Sequence, residues 1–173
     1  ICKEYRLSGG SLLNILDEID VSGSEDVTVH YKINNNKSCG LGLPLPKGTV
    51  HAYKKSGNRD IQFIGRDEIG HLPVNESTTV KLGAAFDVKT TRIRKDFKKL
   101  SGKFYEAAFD IIIRNHKKED VMIRILEPID SQWEIVKSSH EFARINSDWV
   151  ECNLSVESDK EITLAYRIRS KEE

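Results

Sequence analysis

The sequence has few cysteine, proline and tryptophan residues and carries no excess of either charge. Its 173 residues include three cysteines, four prolines, two tryptophans, and 27 basic residues against 27 acidic ones. Cys2, Cys39 and Cys152 are far apart and form no C-x-x-C motif, which excludes the usual spacing of structural zinc sites and of thioredoxin-like redox sites. Their odd number leaves at least one thiol unpaired within the chain, and their spacing does not decide the redox compartment.

The balanced charge and the absence of long apolar runs exclude further classes of function. A neutral chain gives no electrostatic reason to expect nucleic acid as a partner. The apolar runs are only a few residues long, far shorter than a membrane span, so we expect no transmembrane segment. The chain begins with Ile1 rather than methionine and shows no signal peptide, which we interpret as the start of a fragment of a longer protein.

Alternating apolar and polar residues are the main positive signal in the sequence. From Lys103 to Asn115 every second residue is apolar, which is the period of a strand with one buried face. Shorter segments with the same period recur along the chain, with turn residues between them. The pattern predicts an all-β fold, an antiparallel β-sandwich of immunoglobulin-like character. We assign residues 27–173 to this domain and residues 1–26 to an N-terminal segment, either an extra strand or a linker.

A basic segment precedes the Ser101-Gly102 turn, and together with the following strand it predicts a long protruding hairpin near residues 89–113. Strict alternation would place Arg92, Arg94 and Lys98 on one face. We predict that the segment binds a partner, either a protein or an anionic polymer. The alternative is a solvated edge that its lysines protect from aggregation, with Phe97 packed on Tyr105. The residues of this candidate binding site are Arg92, Arg94, Lys95, Phe97, Lys98 and Lys99.

No motif of catalysis or cofactor binding is present, so we predict neither enzyme activity, nor a cofactor, nor a metal. Ser139 and His140 are neighbours, but neighbours in a strand point to opposite faces, so we interpret this segment as a polar turn. The rival hypothesis is an enzyme whose site forms only in three dimensions, around His30 and His51 on adjacent predicted strands.

A carbohydrate-binding domain is a further alternative, because such domains present exposed aromatic platforms. Trp133, Trp149 and Tyr53 are the available contributors. Both tryptophans alternate with strand residues, which favours a place in or near the core for each of them.

Several clusters in a fixed order resemble a known family. They are Gly42–Val50, Lys81–Val88, Ile113–Lys117, Asp130–Ile135 and Ser138–His140, with Arg92, Asp96 and Phe97 between the second and the third. Together they resemble the C-terminal domain of the mucoidy-inhibitor-A-like proteins, a bacterial and archaeal family of unknown function. The resemblance covers roughly residues 27–169.

The resemblance implies a β-sandwich module without an established activity and without catalytic residues to transfer. In that family the domain follows an N-terminal domain and a coiled coil, and many bacterial members carry export signals, which implies the cell envelope or periplasm. We therefore predict a non-catalytic interaction or structural module of a larger envelope protein. The expected partner is a protein, which includes a second copy of the chain, and an anionic polysaccharide is the alternative.

Overall fold

The computed structural model describes residues 2–9, 22–55, 60–128 and 133–171, and these residues form strands almost throughout. The prediction of an all-β fold is confirmed. One short 3-10 helix, Lys37–Cys39, interrupts the described strands. The strands are β1 Cys2–Ser8, β2 Ser22–Asn34, β3 Gly48–Lys55, β4 Ile61–Ile69, β5 Ser77–Lys99, β6 Phe104–Asn115, β7 Val121–Pro128, β8 Glu134–Ser138, β9 Ala143–Arg144, β10 Trp149–Val156 and β11 Glu161–Lys171.

Nine of the described strands form one sheet in the order β8-β11-β6-β5-β2-β1-β7-β10-β9, and β3 pairs with β4 in a separate two-stranded sheet. The pairings of β5 with β6, β6 with β11 and β7 with β10 are antiparallel. The chain divides into two compact units. Unit 1 comprises Ile1–Tyr5 and Thr28–Ala84, and unit 2 comprises Arg6–Val27 and Ala85–Glu173. Part of the N-terminal segment therefore forms β1, whose Leu7 is fully buried.

The core of unit 2 is built from the alternating rows that the sequence displays. In β6 every second residue from Tyr105 to Asn115 is buried, and in β11 Leu164, Tyr166 and Ile168 form the matching row. Side chains directly opposite each other on paired strands lie on the same face of the sheet. The register of Ile111 opposite Leu164 and of Phe109 opposite Tyr166 therefore joins the two rows into one apolar surface.

Strands β7 and β11 face each other across this core. Neighbouring strands lie about 4.8 Å apart, so a flat sheet with four strands between β7 and β11 would separate the two by about 24 Å. The hydroxyl oxygen of Tyr166 on β11 nevertheless lies 3.2 Å from Oε2 of Glu127 on β7. Within unit 2 the buried faces of these two strands therefore enclose a common interior.

A buried asparagine holds the loops of each unit. In unit 1 the Asn35 side chain donates to the carbonyl oxygens of Leu43 and Pro73 at 2.8 and 2.9 Å and accepts from the backbone N–H of Gly42 at 3.0 Å. In unit 2 the Asn115 side chain donates to carbonyls of both neighbouring turns, as at Glu119 at 2.8 Å. Each amide satisfies backbone groups that would otherwise be buried without a partner.

Candidate functional site

The basic segment forms a hairpin, as predicted, but the hairpin does not protrude. Strand β6 lies between β5 and β11 and pairs with β11 along its whole length, from Phe104 to Arg114. Strand β5 lies between β6 and β2. The prediction of a protruding arm is therefore wrong, whereas the alternative of an edge protected by lysines stays a prediction. The alternate buried residues of β6 fit a central strand, one face of which packs on the core.

A β-bulge also breaks the predicted basic face. The register shifts between Arg94, opposite Phe109, and Asp96, opposite Ala108, so Lys95 is the extra residue. Before the bulge Arg92 and Arg94 share a face with the buried row of β6, whereas after it Lys98 lies opposite Glu106 on the other face. The prediction that all three cations share one face is wrong, because a bulge of one residue reverses the alternation beyond it.

The other residues of the segment have local partners. Arg94 lies over the ring of Phe97, with 5.6 Å from the guanidinium carbon to the ring centroid, and Phe97 packs on Tyr105 with 5.8 Å between ring centroids. The packing of Phe97 on Tyr105 matches the alternative interpretation of that residue. Lys95 lies 3.8 Å from a carboxylate oxygen of Asp110. Lys98 and Lys99 are exposed. A partner-binding role for these residues stays a prediction.

Acidic side chains balance the cations on the other face of β5, β6 and β11. Arg167 lies 2.7 Å from Asp96 and 3.5 Å from Glu106, and Arg169 lies 2.7 Å from Glu106. The hydrogen bond from Arg167 lowers the pKa of Asp96. This face therefore presents an ion-pair network of both signs and not the uniform positive ribbon that the sequence suggested.

Arg92 belongs to a buried polar cluster in unit 2 that also contains Glu25, Glu127 and Tyr166. Its Nε donates to Glu25 at 2.7 Å, its Nη2 donates to Glu127 at 2.6 Å, and its Nη1 donates to the Tyr166 hydroxyl. The Tyr166 hydroxyl in turn donates to Glu127 at 3.2 Å. Arg92 is 8% exposed and Glu127 is 2% exposed. The buried Glu127 and the half-buried Glu25 thus share one guanidinium.

Burial and charge act against each other in this cluster. Burial raises the pKa of Glu127, although the guanidinium of Arg92 favours its charged form. Burial by itself would lower the pKa of Arg92, but its phenol and carboxylate partners outweigh that effect and raise it. All three nitrogens of the guanidinium donate within the cluster, and the tyrosine proton is directed at Glu127. We interpret the cluster as a structural network, because its hydrogen-bond donors already have acceptors within the cluster.

Each histidine of the rival hypothesis has a local contact of its own. His30 shares a hydrogen bond of 2.9 Å with the hydroxyl of Thr28, and the ring of His51 lies 6.0 Å from that of Phe63. Across the described ranges no three His, Cys, Asp or Glu side chains are placed to hold a metal ion.

Ser139 and His140 do contact each other, with 2.9 Å between Oγ and Nδ1, because they lie in a bend after β8 and not in a strand. The expectation that adjacency keeps them apart is therefore wrong. The Ser139 hydroxyl also accepts from the backbone N–H of Ala165 at 3.0 Å, and that of Ser138 accepts from the N–H of His140 at 3.3 Å. These side-chain caps agree with the predicted polar turn.

An exposed aromatic surface lies on the β3–β4 hairpin of unit 1. Tyr53 stands directly opposite Phe63, with 5.6 Å between ring centroids, and His51 packs on the same ring. Ile61 is 64% exposed, Tyr53 56% and Phe63 50%. We name His51, Tyr53, Ile61 and Phe63 the aromatic face. Alternation creates this surface, because Val50 and Ala52 on the same strand point the other way and are half-buried.

The charges on the aromatic face are mainly positive. The register places Arg66 opposite His51 and Lys55 opposite Ile61, on the same side of the hairpin as the rings. Among the residues of the aromatic face, the sequence pointed only to Tyr53 and His51, each for a different hypothesis. The signal that could have found Phe63 is the pairing of the two consecutive strands, which places it opposite Tyr53.

A cleft of about 350 Å³ borders the aromatic face within unit 1. Its apolar lining residues are Ile33, Val50, Ala52, Ile64, Val80 and Leu82, and its other lining residues are Tyr31, His51, Tyr53 and Lys54. The volume and the apolar lining are typical of pockets that take small molecules.

The tryptophans do not form a carbohydrate platform. Trp133 is 5% exposed and Trp149 is half-buried, which confirms their predicted place in or near the core. In the described part of the chain, no helix has the length and hydropathy that crossing a membrane requires. Comparison with family models, with curated proteins and with solved structures gave no match.

Proposed function

We propose that this chain is a non-catalytic protein-interaction module of a larger cell-envelope protein, and that the aromatic face of unit 1 is its interaction surface. One observation carries the proposal: Tyr53, Phe63 and Ile61 expose half or more of their surface side by side. Contiguous exposed apolar side chains mark interaction sites, and tyrosine is enriched among the residues that dominate binding energies. The resemblance of the sequence to an envelope family supports the cellular context.

The angles between the rings favour a protein over a polysaccharide. The planes of Tyr53 and Phe63 are inclined by 65°, and those of His51 and Phe63 by 51°. A chain of sugar rings stacks best on rings that lie in one plane, whereas side chains of a protein can fill the angle between inclined rings. Arg66 and Lys55 flank the rings, so the complementary partner surface is acidic.

We also propose that an immunoglobulin-like β-sandwich describes unit 2. The first support is that β7 and β11 face each other, with a hydrogen bond between Tyr166 and Glu127. The second is the antiparallel pairing of β10 with β7 and of β11 with β6 and β8. Two layers that bury their inner rows against each other are the defining feature of such sandwiches.

Site-specific photo-crosslinking in the full-length protein tests the interaction proposal. A benzophenone amino acid replaces Tyr53 in one variant and Met122, which is 58% exposed on β7, in the control. We expect one discrete protein adduct from position 53 in the source cells, which mass spectrometry would identify and which the additional change Arg66→Glu would abolish. Position 122 should not give this adduct. Equal adducts from both positions, or none from position 53, would contradict the proposal.

A further inference from the structure

The cleft beside the aromatic face has a chemical character of its own. Six of its lining side chains are aliphatic, and they come from β2, β3, β4 and β5, so its walls belong to regular strands of unit 1. Val80 at its base is 1% exposed, whereas Ala52 and Ile64 are half-buried. The cleft is therefore an apolar depression with a buried base at Val80, and it is open to solvent.

The charge at the opening has one sign. Lys54 lines the cleft, is exposed and carries an ammonium group. No aspartate or glutamate occurs among the described residues of the lining. Tyr31 also lines the cleft, and a tyrosine hydroxyl can donate a hydrogen bond to an anion. An apolar interior below a cationic rim complements a molecule with an aliphatic tail and a negative head group.

We propose that this cleft binds a single-chain carboxylate amphiphile, with the aliphatic tail among Val50, Ala52 and Val80 and the carboxylate at Lys54. The volume of about 350 Å³ lies at the lower end of the range for small-molecule pockets, which selects one chain and not a two-chain lipid. The site is distinct in chemistry from the protein-binding aromatic face, although His51 and Tyr53 border both.

Isothermal titration of the whole chain with decanoate tests the proposal. We expect saturable binding of one decanoate per chain. Octanoate should bind about 15-fold more weakly, because each buried methylene contributes about a fourfold change in affinity. Lys54→Gln should weaken decanoate by about fivefold and leave 1-decanol unchanged, since an exposed ion pair contributes little and the alcohol carries no charge. The matched control is Lys55→Gln, whose side chain lies on the opposite face of β3.

A second variant tests the tail site independently of charge. Ala52→Phe fills the cleft, so it should abolish binding of both decanoate and 1-decanol while the circular dichroism spectrum stays that of the parent chain. If Ala52→Phe does not fold, the comparison of Lys54→Gln with Lys55→Gln still tests whether decanoate binds in the cleft. The proposal is overturned if decanoate does not saturate, if octanoate binds as well as decanoate, or if Lys54→Gln and Lys55→Gln weaken binding equally.

Discussion

Replacing Arg92 with methionine would test whether the buried cluster holds unit 2 together. The change keeps most of the aliphatic volume but removes the guanidinium that neutralises Glu127, which is 2% exposed. Breaking a buried ion pair on one side costs about 3–5 kcal/mol, because the remaining charge is left in a medium that solvates it poorly. With a urea dependence of about 2 kcal/mol per molar, the midpoint of unfolding should fall by about 2 M.

Tryptophan fluorescence during urea unfolding is the appropriate assay, since Trp133 and Trp149 both lie in unit 2. The matched control is Arg114→Met. Arg114 also pairs with a glutamate, at 2.6 Å, but its side chain is 42% exposed, so its loss should cost less than about 1 kcal/mol. The double change Arg92→Met with Glu127→Met should recover most of the lost stability, because apolar side chains of similar volume replace a buried pair at little cost.

The pH dependence of the Arg92→Met variant follows from the same reasoning. Burial raises the pKa of Glu127, and without the guanidinium nothing in the pair opposes that rise. The folded state then holds a proton that the unfolded state releases, so the stability of the variant should increase as the pH falls from 8 to 5. A loss below 1 kcal/mol, or a double variant less stable than the single one, would refute the assignment of Arg92 and Glu127 as a coupled buried pair.

Three further outcomes test other parts of the structure. Burial raises the pKa of Cys152 to about 11. A disulfide reagent at pH 7 should therefore react quickly with the two exposed cysteines and with Cys152 only after unfolding. Three thiols that react equally fast would contradict the burial of Cys152. Backbone hydrogen bonds, the first from Lys81, lower the pKa of Asp67. Unit 1 should therefore lose stability as the pH falls through that lowered pKa. In an acid titration followed by circular dichroism, Asp67→Asn should remove this dependence. Gly65→Ala should lower the melting temperature markedly, because a Cβ there would lie 2.4 Å from the carbonyl oxygen of Leu82; an unchanged melting temperature would refute this close approach.

The sequence by itself determined the strands that have alternating apolar rows, since such rows need only local periodicity to be recognised. The row from Tyr105 to Ile113 is buried as its period predicts, and β10 buries Val150, Cys152, Leu154 and Val156 in the same way. The turn at Ser101-Gly102 and the pairing of β5 with β6 also follow from local signals. These features depend on neighbours in the chain, whose side-chain directions are fixed by the backbone.

Only the tertiary structure decided which charged residues are buried and which aromatic ones are exposed. Arg92 lies in a segment that looks like a solvated basic arm, but Glu25 and Glu127 approach it from 67 and 35 residues away and neutralise it in the interior. Tyr53 and Phe63 look like ordinary strand residues, yet the small β3–β4 sheet leaves their side uncovered. Periodicity identifies two faces of a strand, but what covers each face depends on contacts that are distant in sequence.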